Sequence, residues 1–224
     1  PIFMTLYFDA VDTAGHNAGP DSAQVSAALT EVDAAVGRLI DGLAARGVTA
    51  NIIIVSDHGM AQVSPDRRIF LDDLLPKDAY RTLDLGPLGT IYPTAGREAE
   101  VEAVLTARRP HLQCWRKDRI PARLAYGRNP RVAPIICMPE TGWVLTTHAS
   151  RTGAQESGEH GYDNAAPEMR AIFIANGPAF RSGVRLKTFD NVSVYPLLAR
   201  LLDLTPQPNE GRLSDLARGL AAVP

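Results

Sequence analysis

The feature that most constrains this chain is "NIIIVSDHGM" at residues 51–60, an apolar run that stops abruptly on Asp57 and His58. Four consecutive aliphatic residues bounded by turn-forming ones read as a buried strand, and the acid and histidine then fall where that strand meets its loop. Ahead of it, Val25, Leu29, Val32, Val36, Leu39, Ile40 and Leu43 recur at three- and four-residue steps, the signature of one helix face. Asp21 or Ser22 caps its start and Gly47 closes its end. Before the helix, "PIFMTLYF" reads as a strand over residues 2–8, followed by a polar loop, "DAVDTAGHNAGP". Strand, helix, strand in that order predicts a parallel pair with a right-handed crossover. Both loops would then leave the same carboxyl edge, where open α/β sheets place their ligands, and Asp12, His16, Asp57 and His58 would share one rim.

The texture changes after residue 85. A strand at "GTIYP", a helix over "REAEVEAVLTARR", proline-punctuated turns through "RIPARLAYGRNPRVAP" and strands at "IIC" and "GWVLTT" read as a small α+β insert. After the polar "SRTGAQESGEHGYDN", a strand "MRAIFIAN" over 169–176 and a helix at "VYPLLARLLDL" resume the core, with Pro196 tolerable only near the first helical turn. The expected division is 1–85 as α/β core with metal loops, 86–150 as the insert subdomain and 151–224 as a return to the core. With 23 basic and 25 acidic residues, a net charge of −2 leaves no basic face for nucleic acid. No apolar run approaches the roughly 20 residues that span a bilayer. Cys114 and Cys137 are too far apart for a paired metal motif, and without a dense cysteine framework they read as two buried thiols rather than a disulfide. The chain opens on Pro1, already within a strand pattern, and so reads as part of something longer, with any targeting segment outside it.

Three of the five histidines lie beside glycine in short motifs, "DTAGH" (12–16), "SDHG" (56–59) and "GEHG" (158–161). Imidazole with carboxylate suits a borderline ion such as zinc, at about 2 Å. His111 and His148 match no such pattern and read as solvated or structurally bonded.

The three motifs in this order, with "PARLAYGRNPRV", "GEHGYDN" and the closing "NVSVYPLLARLL", resemble the nucleotide pyrophosphatase/phosphodiesterase family of the alkaline phosphatase superfamily over nearly the whole chain. That resemblance implies an alkaline-phosphatase-like, mostly parallel central sheet flanked by helices, of which this chain forms the carboxyl-terminal part. It implies two zinc ions, one held by Asp12, His16 and His160, the other in part by Asp57 and His58. The second ion's remaining ligand, an Asp, and the nucleophilic Thr match nothing in this sequence and are expected upstream, in the missing amino-terminal half of the domain. Tyr7 corresponds to a Tyr that flanks the nucleotide base in bacterial members, and Asp163 and Asn164 would orient His160. For Arg123, Tyr126 and Arg131, packing of the insert is the expected role. The implied activity is hydrolysis of nucleotide phosphodiester or pyrophosphate bonds, releasing nucleoside monophosphates, in an extracytoplasmic setting. By itself this chain is expected to be inactive. A phosphonate hydrolase, a phosphomonoesterase or a noncatalytic metal-binding fragment are the alternatives.

Overall fold

A computed structural model describes residues 2–149 and 157–221. The segment taken from sequence as a polar loop is a helix, α1 (Ala10–Ala18), in which three alanines outweigh the single glycine in helical preference. Helix α2 (Ala23–Ala45) follows, with the Val25 amide donating to Ser22 Oγ at its start and the Gly47 and Val48 amides returning to Ala44 and Leu43 at its end, so both expected caps form. The chain continues through β1 (Ile52–Val55), β2 (Ala61–Gln62), β3 (Arg68–Phe70), β4 (Tyr80–Thr82), β5 (Gly89–Pro93), α3 (Glu98–Thr106), β6 (Leu112–Arg116), β7 (Ile135–Pro139), β8 (Val144–Thr146), β9 (Gly158–Glu159), β10 (Phe173–Asn176) and α4 (Val194–Leu201). Residues 150–156, the first part of the predicted polar loop, lie outside the described residues.

Two compact units emerge. One comprises Asp9–Thr30 and His58–Arg170. Its main sheet has the order β4-β5-β7-β6 and is antiparallel throughout. Strict alternation places Gly89 and Ile91 of β5, and Leu112 and Cys114 of β6, on the inner side. Val101 and Leu105, one helical turn apart on α3, join them in a core with Leu71, Ile135 and Leu145. Strands β2 and β9 form a short antiparallel ladder, and β3 pairs with β8 in parallel.

The other unit comprises Pro1–Phe8, Glu31–Asp57 and Ala171–Pro224. Here β1 pairs antiparallel with β10, from Ile52 opposite Asn176 to Val55 opposite Phe173. Pro196 is the third residue of α4, as the first-turn rule requires. Buried Ser193 ties the helix start down, its hydroxyl donating to Asp215 at 2.8 Å and accepting the Arg212 amide at 3.1 Å.

Several expectations are corrected. Residues 2–8 are exposed and pair in no ladder among the described residues, so the predicted parallel β–α–β unit does not form. Parallel strands depend on cover over both faces, and this run has neither. In place of one mostly parallel central sheet there are small sheets, antiparallel except for β3–β8. The strand expected over 169–176 is confined to Phe173–Asn176, because 167–169 turns as a 3₁₀ segment behind Pro167. Cys114 and Cys137 are buried as expected but are joined by a disulfide, since the register of β6 and β7 sets them directly opposite each other.

Candidate metal centre

Helix α1 explains the first motif. Asp12 and His16 are four residues apart, so one helical turn stacks both side chains on the same face, with His16 Nε2 3.6 Å from Asp12 Oδ2. His160 arrives from the end of β9, its Nε2 3.7 Å from Asp12 Oδ1. The three ligand atoms lie within 4.8 Å of one another. Those separations are too long for direct hydrogen bonds and close to the ~3.4 Å expected between two donors that share a tetrahedral ion at about 2 Å.

Two further details fit a cation. Oxygen Oδ1 of Asp12 is buried and has no hydrogen-bond partner, and an orphaned carboxylate oxygen is costly unless something positive meets it. His16 Nδ1 donates to the Gly158 carbonyl at 2.9 Å, which leaves the Nε2 lone pair facing Asp12 and His160. The same backbone fixes the spacing: the Ser157 amide donates to the His16 carbonyl, and a side chain at Gly158 would meet the Gly15 carbonyl at 2.3 Å. Glycine at position 158 therefore lets backbone approach backbone.

His58 opens the segment after β1. Its ring stacks on that of His160, with centroids 3.5 Å apart and planes 12° apart, and its Nδ1 donates to the Gly59 carbonyl. Gly59 is hemmed in, since a Cβ there would lie 2.0 Å from the Glu168 carbonyl. Asp57 and Tyr7 belong to the other unit: Asp57 closes β1 and is exposed, and Tyr7 lies in the run 2–8 with 81% of its surface exposed.

The loop after His160 is anchored from behind. Tyr162 is buried against Ala61, Val63, Val144 and Met169, and that burial, with Glu159 nearby, pushes its phenol above the ordinary value. Asp163 accepts a two-pronged ion pair from Arg123 and the amide of Ala165. That pairing holds the Asp163 carboxyl below the usual carboxylate range. From the sequence Arg123 was expected only to pack the insert, and nothing in the spacing of the two segments links it to Asp163, forty residues away.

A second group, Asp72, Asp73 and His148, is also close enough to share an ion. Its atoms are already occupied with one another, for the His148 amide donates to both Asp72 oxygens and its Nε2 to Asp73 at 2.8 Å, while the ring stacks on Phe70. His111 is held likewise, by Glu140 and the Trp143 ring. Both histidines are structurally bonded, and neither group leaves a buried oxygen unmet as Asp12 does.

Comparison with known proteins follows the same lines. A family model described as type I phosphodiesterase/nucleotide pyrophosphatase matches residues 1–163. Human bis(5'-adenosyl)-triphosphatase ENPP4 is 39% identical over 212 residues, covering 93% of this chain and 46% of that protein. Human ectonucleotide pyrophosphatase/phosphodiesterase family member 5 is 39% identical over 208 residues, covering 92% and 43%. The solved structure of murine ectonucleotide pyrophosphatase/phosphodiesterase 5 superposes with a TM-score of 0.88 at 37% identity, covering 94% of this chain and 56% of that one. An inactive variant of that murine protein in complex with AMP matches equally well. The chain thus spans about half the length of the curated relatives it matches.

Proposed function

This chain belongs to the type I phosphodiesterase/nucleotide pyrophosphatase family, and from that premise we propose that it forms the carboxyl-terminal part of a dizinc hydrolase of nucleotide phosphodiester or pyrophosphate bonds. The observation that carries the reading is the convergence of Asp12, His16 and His160, with a buried Asp12 carboxylate oxygen that has no hydrogen-bond partner. In this reading those three residues hold one zinc, and Asp57 and His58 contribute to a second. Such ions neutralise phosphate oxygens and acidify an attacking hydroxyl.

The chain's own residues supply position. The Gly158 carbonyl keeps His16 in the tautomer whose Nε2 can bind, and α1 holds Asp12 on the same face. The β2–β9 ladder and buried Tyr162 fix the backbone on either side of His160. Tyr7 is proposed to stack on the nucleotide base. Attack on phosphorus would come from a Thr upstream of Pro1, breaking the bond to the leaving alcohol or phosphate oxygen and giving a covalent nucleotidyl group, whose hydrolysis by water releases a nucleoside monophosphate and frees the Thr hydroxyl. The AMP bound by the murine relative is a product of that kind. The Cys114–Cys137 disulfide suits an oxidising compartment, as do relatives named ectonucleotide enzymes, so an extracytoplasmic setting is part of the proposal. Among the described residues no helix is long and apolar enough to cross a membrane.

Zinc titration of the chain, with His160→Ala beside it, tests the site: the variant is expected to lose well over about tenfold in affinity. Joined to an amino-terminal half bearing the Thr, the protein is expected to cleave bis(4-nitrophenyl) phosphate faster than 4-nitrophenyl phosphate. Zinc binding unchanged in His160→Ala overturns the ligand assignment, and a preference for the monoester overturns the substrate class.

A further inference from the structure

The His160 loop receives one contact that neither its own strand nor the hydrophobic cluster behind it explains. Arg123 stands in a 3₁₀ turn of the insert, Ala122–Leu124, and reaches forty residues along the chain to Asp163. Both guanidinium Nη groups engage, Nη1 donating to Oδ1 at 2.7 Å and Nη2 to Oδ2. A bidentate pair fixes direction as well as distance, because the planar fork meets the planar carboxylate in one orientation.

Each end of the pair is anchored by further contacts. On the insert side, the Lys117 amide donates to the Pro134 carbonyl, and Ile120 packs on Val132, Ala133 and Ile136, so the turn bearing Arg123 is held at its base. On the loop side, Asp163 caps its own turn: Oδ1 accepts the Ala165 amide at 2.9 Å and its carbonyl accepts that of Ala166. The turn follows His160 by three residues and follows buried Tyr162 directly. A shift of the Asp163 turn is thus passed through a short, pinned segment to the histidine.

We infer that Arg123 is a positioning residue for the metal centre, acting through Asp163 to hold His160 where it can share an ion with Asp12 and His16. The inference rests on the zinc reading above. It gives the insert a task beyond packing, since a residue of the insert sets the affinity of a site to which it donates no ligand. Partners that orient ligands in this way change metal affinity by about 10–100-fold when removed.

The test compares zinc affinity, by competition with a chromophoric chelator, and metal-free melting temperature across variants of the whole chain. Arg123→Ala is expected to weaken zinc about tenfold. Asp163→Asn, which keeps an oxygen for the Ala165 amide but removes the charge, is expected to do the same. The double variant should lose no more than either single one, as two halves of one contact do. Arg123→Lys should fall between, because one ammonium cannot grip both oxygens. Metal-free melting should stay nearly constant in all of them, and Arg97→Ala, which breaks an ion pair with Glu100 elsewhere on the insert, should leave zinc affinity unchanged. If His160→Ala weakens zinc while Arg123→Ala and Asp163→Asn bind as the parent does, the positioning role is overturned and the zinc reading stands. If His160→Ala itself binds as the parent does, the zinc reading falls and this inference with it. Losses that add in the double variant, or that track a fall in metal-free melting, also overturn it.

Discussion

The two units of the chain bury the same kinds of residue to very different extents. In the unit of 9–30 and 58–170, Ile91 and Leu145 are both 0% exposed, enclosed by a four-stranded sheet with α3 against it. In the unit of 1–8, 31–57 and 171–224, Val55 exposes 49% of its surface and Ile174 exposes 55%, although both sit in a ladder of regular register. None of the α2 residues is buried, despite a clean apolar stripe. The difference teaches that register and periodicity specify an element, but a core needs a second layer. The two-stranded β1–β10 ladder has none over Val55 and Ile174, and burial in this unit centres on α4, as at Leu197, whereas four strands and a helix do supply one in the other unit. Since the chain covers 46% of the human relative it matches over 93% of its own length, the open faces of the unit of 1–8, 31–57 and 171–224 are where the remainder of the family domain is expected to pack.

The largest effect should come from supplying that remainder. Residues 1–224 alone are expected to associate and to bind a hydrophobic dye through the uncovered apolar faces, with the edge of the β1–β10 ladder as a further liability. Coexpression with the amino-terminal half should yield a monodisperse, dye-silent complex, as followed by light scattering. A chain that is monomeric and dye-silent by itself would break the comparison.

Single core substitutions sharpen it. Leu145→Ala should cost about 2–5 kcal/mol in urea unfolding, because a wholly buried side chain leaves a cavity. Ile174→Ala should cost under about 0.5 kcal/mol in the chain alone, and more once the other half is present. Equal costs in the chain alone would show that Ile174 is covered.

The disulfide offers an intermediate effect confined to one side. Its sequence separation of 23 residues corresponds to about 3 kcal/mol of unfolded-state restriction. Cys114→Ala with Cys137→Ala should therefore raise amide exchange in β6 and β7 while that of β1 and β10 stays as it was. Exchange rising in both units together would show that they unfold as one.

Much of the candidate site was legible before any coordinates. Asp12, His16 and His160 were picked out by residue type, spacing and resemblance, and the structure brings them together on α1 and the end of β9. What escaped the sequence was the means of assembly. "DTAGH" reads as a loop because Asp and Gly favour turns, yet the surrounding alanines make it a helix, and it is the helix that stacks Asp12 under His16. Arg123 and Asp163 carried no periodic or motif signal linking them, since an ion pair forty residues apart depends on where two loops finish.

The sequence by itself determined the elements whose cause is local: α2 with its Ser22 start and Gly47 end, the strands β5, β7 and β8, the helix α3, and the donor types of the metal group, while β6 was not foreseen. These follow from side-chain spacing and backbone preference, which act within a few residues. Only the tertiary structure decided pairing: β1 with β10 in antiparallel register, Cys114 with Cys137, Arg123 with Asp163, and the buried Asp12 oxygen between two histidines. Each of those depends on which distant surface is available to cover or face a residue, and a run such as residues 2–8 has the pattern of a core strand yet pairs in no ladder among the described residues.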